Sequence, residues 1–345
     1  MTMKKERNSR SSMVSRRDFL KISGLCGGTL AAGGLFQTPF SFAKEVYPSG
    51  KVIWLIGLPP GGGIDTASRA VSPFMEKYLK AVSSTPSKVS VVINNFIGGD
   101  GMRAANKLYQ SEPDGYTIMG ANEKLISWAV GGKLSFNVFE LTLIGRLGGA
   151  GKVLAANKKS NLHTWDDVIK TSKKAPIDMS VAGFGSSNHL AAIFLIEATK
   201  LEAKAIVASG SSESVAALMR GDVPIGIYPV DTLKRLIDAN EVRPLLTLTN
   251  EKLFGVPNAK EIGFPELIEA TQSMRYVIAP PKLPASIKKV LVDALKKTVV
   301  DKEFLALNEK AGLGMDPLIG PEFDQKFKDI FNFFKSKEKI IRDYI

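Results

Sequence analysis

The sequence predicts an α/β protein built as two units, each a mostly parallel sheet flanked by helices. Three observations predict it. The chain has 345 residues, which at ~100–200 residues per domain suggests two domains. Apolar runs of strand length alternate with amphipathic stretches of helix length, the βαβ signature of a parallel sheet. That alternation occurs twice, over 51–120 and again from 152 onward.

The chain opens on an address. Ser15-Arg16-Arg17-Asp18-Phe19-Leu20-Lys21 is a twin-arginine element. A mild apolar stretch, Ile22 to Phe36, holds five glycines in 15 residues, short of the ~20 needed to span a bilayer. Ser41-Phe42-Ala43 offers small residues for cleavage. Residues 1–43 therefore read as a twin-arginine signal peptide, cleaved near Ala43, that sends the protein to the periplasm. Leu25 before Cys26 does not fit a lipid-anchor site.

Removing the address changes the charge. The whole chain is +12, and 1–43 hold seven Lys+Arg and two Asp+Glu, so seven charges remain. These are diffuse, which argues against nucleic acid as a partner. The one cysteine leaves with the address and two histidines stay, so no metal and no cofactor is expected.

The first unit begins at Lys51–Leu58, an apolar run that reads as a buried strand. Pro59-Pro60-Gly61-Gly62-Gly63 ends it, and a helix opens near Asp65 and runs to about Ala81. A strand over 89–93, a glycine turn at 98–101, a helix over 102–110, the Pro113-Asp114-Gly115 turn and a strand over 116–120 complete the set. The second unit starts at the strand 152–157. Thr164 with Asp167 predicts a helix cap. The strand 179–182 runs into Gly183-Phe184-Gly185-Ser186-Ser187 and a helix over 188–199. A strand over 204–208 leads through Ser209-Gly210-Ser211-Ser212 to a helix ending near Arg220. A strand over 223–228, a helix over 232–239 and a strand over 242–249 follow. One more strand, 275–279, and helices over 284–298 and 321–344 close the chain. Phe323, Phe327, Phe331 and Phe334 recur at helical spacing and predict core packing.

Three loops share one construction: a strand, a Gly/Ser-rich turn, then a helix N-terminus. They are Pro59–Asp65, Gly183–His189 and Ser209–Glu213. Helix N-termini expose unpaired N–H groups, and glycines let an oxyanion approach them. Three such loops over two units suggest a ligand held in a crevice. The chain has no Walker lysine, dinucleotide fingerprint or nucleophile elbow. His189, one turn into its helix, reads as packing or a hydrogen-bond partner, and His163 as surface.

Taken in order, these motifs resemble the Bug receptors, the periplasmic substrate-binding proteins of tripartite tricarboxylate transporters. Tyr47-Pro48 followed by Pro59–Asp65 resembles the family's opening. Val91–Gly101 is similar to its V-V-V-E-N-R-P-G-A-G-G, and Pro113–Thr117 matches P-D-G-Y-T. Gly183–Leu190 matches G-x-G-[ST]-x-x-H-L, Leu218–Val223 resembles L-x-x-G-x-V, and Val256-Pro257 with Glu261–Gly263 resembles the V-P-T-x-x-E-x-G region. The resemblance implies a two-lobed Venus-flytrap (type II periplasmic-binding-protein) fold. Lobe 1 would be 44–148 with 250–345, and lobe 2 would be 149–249. It implies a monomeric, non-enzymatic receptor that binds a small organic carboxylate and delivers it to membrane permease subunits. Pro60, Gly61, Gly62, Gly63 and Asp65 would cradle the ligand from the first lobe. Gly185, Ser186 and Ser187 would face them, with Ser209, Gly210 and Ser211 as a third wall and Asn122 offering its amide. The family's V-P-Y-K-G-S becomes Val207-Ala208-Ser209-Gly210-Ser211, without Tyr or Lys. A hydrolase-like enzyme using His189 with Ser186 or Ser187, or a ligand-sensing subunit, are the competing readings.

Overall fold

The computed structural model describes residues 47–344. The twin-arginine element, its apolar stretch and the Ala43 site lie outside them. Eleven strands are numbered here along the chain. They are β1 Lys51–Ile56, β2 Ser90–Asn95, β3 Thr117–Asn122, β4 Thr142–Ala150, β5 Lys152–Asn157, β6 Ile177–Ala182, β7 Ala203–Ala208, β8 Ile225–Pro229, β9 Val242–Leu248, β10 Ser273–Ala279 and β11 Met315–Leu318. They form two sheets, of order β11-β4-β10-β3-β1-β2 and β7-β6-β8-β5-β9.

The apolar run of β1 is buried from Trp54 to Ile56. It pairs in parallel with β2 and β3, and in the second sheet β6 pairs in parallel with β7 and β8. The expectation of mostly parallel sheets is corrected beyond that point. β10 is antiparallel to β3 and β4, β11 to β4, and β5 to both β8 and β9. The reason is connectivity. β5 and β10 are the strands by which the chain enters a sheet from the other one. They start at the end where β3, β8 and β9 finish, and so run against them.

The two connections touch. A Cβ on Gly151 would lie 2.3 Å from Thr249 Cγ2 and 2.9 Å from the Leu248 carbonyl oxygen. Only glycine allows this approach. Glycines also explain why β4 is hard to read. Its sequence, TLIGRLGGA, looks like a loop by strand propensity. Yet a Cβ at Gly148 or Gly149 would meet the carbonyl oxygen of Gly314 or of Ser273 at 2.7 Å. The strand is glycine-rich because its neighbours press on it.

Most expected helices are present, including Gly63–Lys80, Ser187–Thr199 and Ala285–Val299. Thr164 and Asp167 form the expected reciprocal cap. Three helices not read from the sequence are Lys124–Val130, Glu266–Thr271 and Lys302–Ala311. The final helix is two, Pro321–Ser336 and Glu338–Tyr344, separated where Lys337 N–H turns back to the Phe334 carbonyl oxygen at 3.0 Å. Phe323, Phe327 and Phe334 are buried as expected. Phe331 is only partly so and meets Phe139 edge-on. One apolar cluster runs from the first sheet into the second, with Phe194 packed on Phe333 and Phe334. No helix of the described residues is long and apolar enough to cross a membrane.

Candidate functional site

The first-lobe loop leaves β1 and enters helix Gly63–Lys80. No side chain caps that helix, so its leading N–H groups lack an intrahelical partner. Pro60, Gly61, Gly62 and Gly63 are exposed. Gly61 takes φ +84° with nothing within 4 Å of a would-be Cβ. The loop is fixed from beneath by Asp65. Its carboxylate accepts the Gly61 N–H at 2.9 Å, Arg69 Nε at 2.9 Å and Asn95 Nδ2 at 2.8 Å. Burial alone would raise the Asp65 pKa, but the hydrogen bonds from Arg69, Gly61 and Asn95 together hold it below the usual range. The structure therefore makes Asp65 the anchor of the loop.

The second-lobe loop has the same lettering and a different fate. Each N–H expected to face a ligand is already spent. Gly185 N–H donates to His189 Nδ1 at 3.0 Å, and Ser186 N–H to the Gly183 carbonyl oxygen at 3.1 Å. Ser187 N–H donates to Glu123 Oε1 at 3.2 Å. The Ser186 hydroxyl caps helix Ser187–Thr199 by accepting from His189 N–H. The Ser187 hydroxyl accepts from Lys152 Nζ at 2.8 Å. These three residues are wired into the protein in this conformation.

Between the loops lies a buried polar floor. Lys152, at the start of β5, is 0% exposed. Its ammonium reaches Ser187 Oγ, Asn188 Oδ1 at 2.7 Å and Ser273 Oγ at 2.5 Å. Glu123, just after β3, gives one oxygen to Ser187 N–H and the other to Met274 N–H at 2.7 Å. Arg275 of β10 pairs with Asp231 at 2.8 Å and donates to the Leu313 carbonyl oxygen at 3.0 Å. Its guanidinium lies 3.0 Å from where a Gly63 Cβ would be. Burial pulls the Lys152 pKa down to about 7, with Glu123 and Asp231 opposing the shift and Arg275 adding to it. Two hydroxyls and one amide oxygen can serve either form of the amine, because hydroxyls rotate.

Asn122 lines a narrow cleft with Leu58, Ile64, Asp100 and Trp128. Its Oδ1 accepts Lys124 N–H at 3.2 Å. The enclosed space is about 20 Å³, room for a water rather than an organic acid. A larger crevice, about 650 Å³, lies beside the inter-sheet connections, lined by Gly149, Gly151, Asp231, Arg235, Thr249 and Gly314. Ser209, Gly210 and Ser211 stand apart. Their loop follows the edge strand β7, and Ser209 and Ser211 are exposed. Glu213 accepts both the Ser209 N–H, at 3.0 Å, and its hydroxyl. No hydrogen bond among the described residues ties this loop to the other two.

Residues 80–344 match the family described as the tripartite tricarboxylate transporter family receptor, TctC. The chain belongs to that family. A UPF0065 protein of Cupriavidus necator, in the gbd 5' region, is 26% identical over 294 residues, covering 83% of this chain and 85% of the relative. Another, of Pseudomonas sp. (strain P51), is 22% identical and covers 78% of this chain and 80% of the relative. Among solved structures, an R. palustris protein with adipate superposes with a TM-score of 0.71 at 20% identity, covering 86% of this chain and 98% of that one. MatC from Rhodopseudomonas palustris with bound malate gives 0.68 at 20%, covering 86% and 99%. The two-lobed α/β fold is shared with these receptors.

The receptor family is one of substrate-binding proteins, not of enzymes, and the geometry around His189 agrees. Its Nδ1 is taken by Gly185 N–H, and burial first and Lys124 second lower its pKa to about 4. The Ser186 hydroxyl donates to the Ala182 carbonyl oxygen and accepts the His189 backbone N–H rather than pairing with the imidazole. Among the described residues, no group of three His, Cys, Asp or Glu could hold a metal. The floor residues Glu123, Lys152, Asp231, Ser273 and Arg275 were not read from the sequence. Two carried a signal: Lys152 and Arg275 are single cations inside otherwise apolar strand runs, KVLAAN and SMRYVIA. A charge there must be paired once buried.

Proposed function

We propose that this receptor captures a small carboxylate-containing metabolite between its lobes, in the periplasm, and hands it to a tripartite tricarboxylate-type permease. The observation that carries the reading is the first-lobe loop. It is exposed, rich in glycine, held rigid by Asp65, and opens on the uncapped N-terminus of an 18-residue helix. Such a terminus offers N–H donors and partial positive charge to an anion without a charged side chain. The lobes would be 44–148 with 250–345 and 149–249, hinged where Gly151 meets Thr249. The malate- and adipate-bound structures of fold relatives support an organic acid as ligand. The permease then reads the closed form.

Calorimetry of the purified mature chain against mono-, di- and tricarboxylates tests this reading. Micromolar binding of at least one acid is expected. Dissociation constants weaker than ~1 mM throughout, only ~4 kcal/mol of binding, would reject it. Light scattering should give a monomer. Export is tested in cells: replacing Arg16 and Arg17 by Lys should leave the precursor inside, and the exported form should begin at Lys44. Normal export of that variant would remove the twin-arginine assignment.

A further inference from the structure

The second-lobe loop already holds a carboxylate, and it belongs to the protein. We propose that Glu123 is a specificity-determining residue, a tethered carboxylate that fills the second-lobe anion position, so that the receptor takes acids bearing one carboxylate rather than two. The inference rests on the carboxylate-receptor reading above and narrows its substrate class.

The geometry is that of a ligand held by its host. Glu123 stands on the first lobe, between β3 and helix Lys124–Val130, and is 3% exposed. One oxygen crosses to the N–H of Ser187, the first residue of helix Ser187–Thr199, while the other takes Met274 N–H on its own side. This is how a carboxylate binds at a helix N-terminus. Lys152 sits beneath, on the Ser187 and Ser273 hydroxyls and the Asn188 amide. The adjacent Gly185 and Ser186 N–H groups are engaged within their own loop.

Nothing else at the floor is left for a second carboxylate. Arg275 is spent on Asp231 and the Leu313 carbonyl oxygen. Lys124 is paired with Asp100 and lies over Trp128. Each buried cation facing the cleft thus has acceptors of the protein's own. A dianion would have to displace Glu123 and leave that carboxylate unpaired in a buried place, which is unfavourable. The first-lobe loop, by contrast, keeps its uncapped N–H groups open to one carboxylate.

The test is calorimetry with acids matched in length: butanoate against succinate, hexanoate against adipate, benzoate against terephthalate. The wild-type protein should bind the better monoacids at least tenfold more tightly than their diacid counterparts. Glu123→Ala vacates the position, and the ratio should fall at least tenfold in favour of the diacid. Glu123→Gln keeps the shape without the charge and should move the ratio in the same direction, which guards against an unfolded Ala variant. A wild-type preference for diacids, or an unchanged ratio in a folded variant, would overturn the inference while leaving the carboxylate reading intact. Failure of every acid to bind any form would overturn both.

Discussion

The loops Pro59–Asp65 and Gly183–His189 are written in one grammar and used in two ways. Both follow a parallel strand, turn on glycines at positive φ, and lead into a helix. The first is exposed and supported from below by its own Asp65. The second is partly buried, pairs two of its N–H groups within itself, and has its Ser187 N–H taken from across the cleft by Glu123. A loop's sequence sets where N–H donors point. Which acceptor reaches them is decided by what the rest of the chain brings alongside. Donors near solvent wait for an anion, whereas buried donors must be satisfied within the protein.

The largest expected effect breaks the second loop. Glu123→Ala leaves Ser187 and Met274 N–H groups unpaired beside the buried Lys152. Urea unfolding should show about 3–5 kcal/mol lost, the scale for breaking a buried charged contact. A loss under about 1 kcal/mol would mean that water serves those donors instead. Removing the anchor of the first loop should do less. Asp65→Ala frees Gly61, Arg69 and Asn95, but Arg69 is half-exposed and water can take over part of the loss. About 2 kcal/mol is expected in the same measurement, together with weaker acid binding.

A pH series isolates the floor. Burial sets the Lys152 pKa near 7 in the native state, whereas an unfolded lysine titrates near ~10.4. Between those values the unfolded chain holds a proton that the native protein lacks, so stability rises with pH across that window. Below pH 7 both states are protonated and the full penalty remains. Lys152 should contribute at most about 1.4 kcal/mol per pH unit, one proton's worth, and Lys124, lowered by burial to about 8, adds to the slope above that value. Lys152→Met should reduce the slope, and an identical slope in that variant would place the titration elsewhere. The smallest effect separates the loops most cleanly. Gly61→Ala and Gly183→Ala both force alanine to positive φ, at +84° and +67°, and each should cost about 1 kcal/mol. Only the first should weaken acid binding by calorimetry, and equal weakening by both would show that a ligand uses both loops.

Much of the fold was legible in the sequence, and for local reasons. The strands Lys51–Ile56 and Ile225–Pro229 are apolar runs, the Thr164–Asp167 cap is a four-residue motif, and the aromatic stripe from Phe323 has helical period. What escaped was non-local. The glycines of β4 look like a loop until Gly314 and Ser273 are seen pressing on that strand. The direction of β5 and β10 depends on the route between sheets. The order of the family's motifs, rather than any one of them, carried the family assignment that the match over 80–344 then showed.

By itself the sequence determined the α/β class, the repeated strand–turn–helix units and the loops able to present N–H donors. Each follows from side-chain periodicity and from glycine's freedom, which act over a few residues. Only the tertiary structure decided that Asp65 works from beneath its loop and that Glu123 meets Ser187 from 64 positions away in the chain. It also placed Lys152 and Arg275, lone cations in apolar strands, where hydroxyls, carbonyl oxygens and Asp231 receive them. A buried charge takes its meaning from partners across space, and those partners are contributed by segments that only folding brings together.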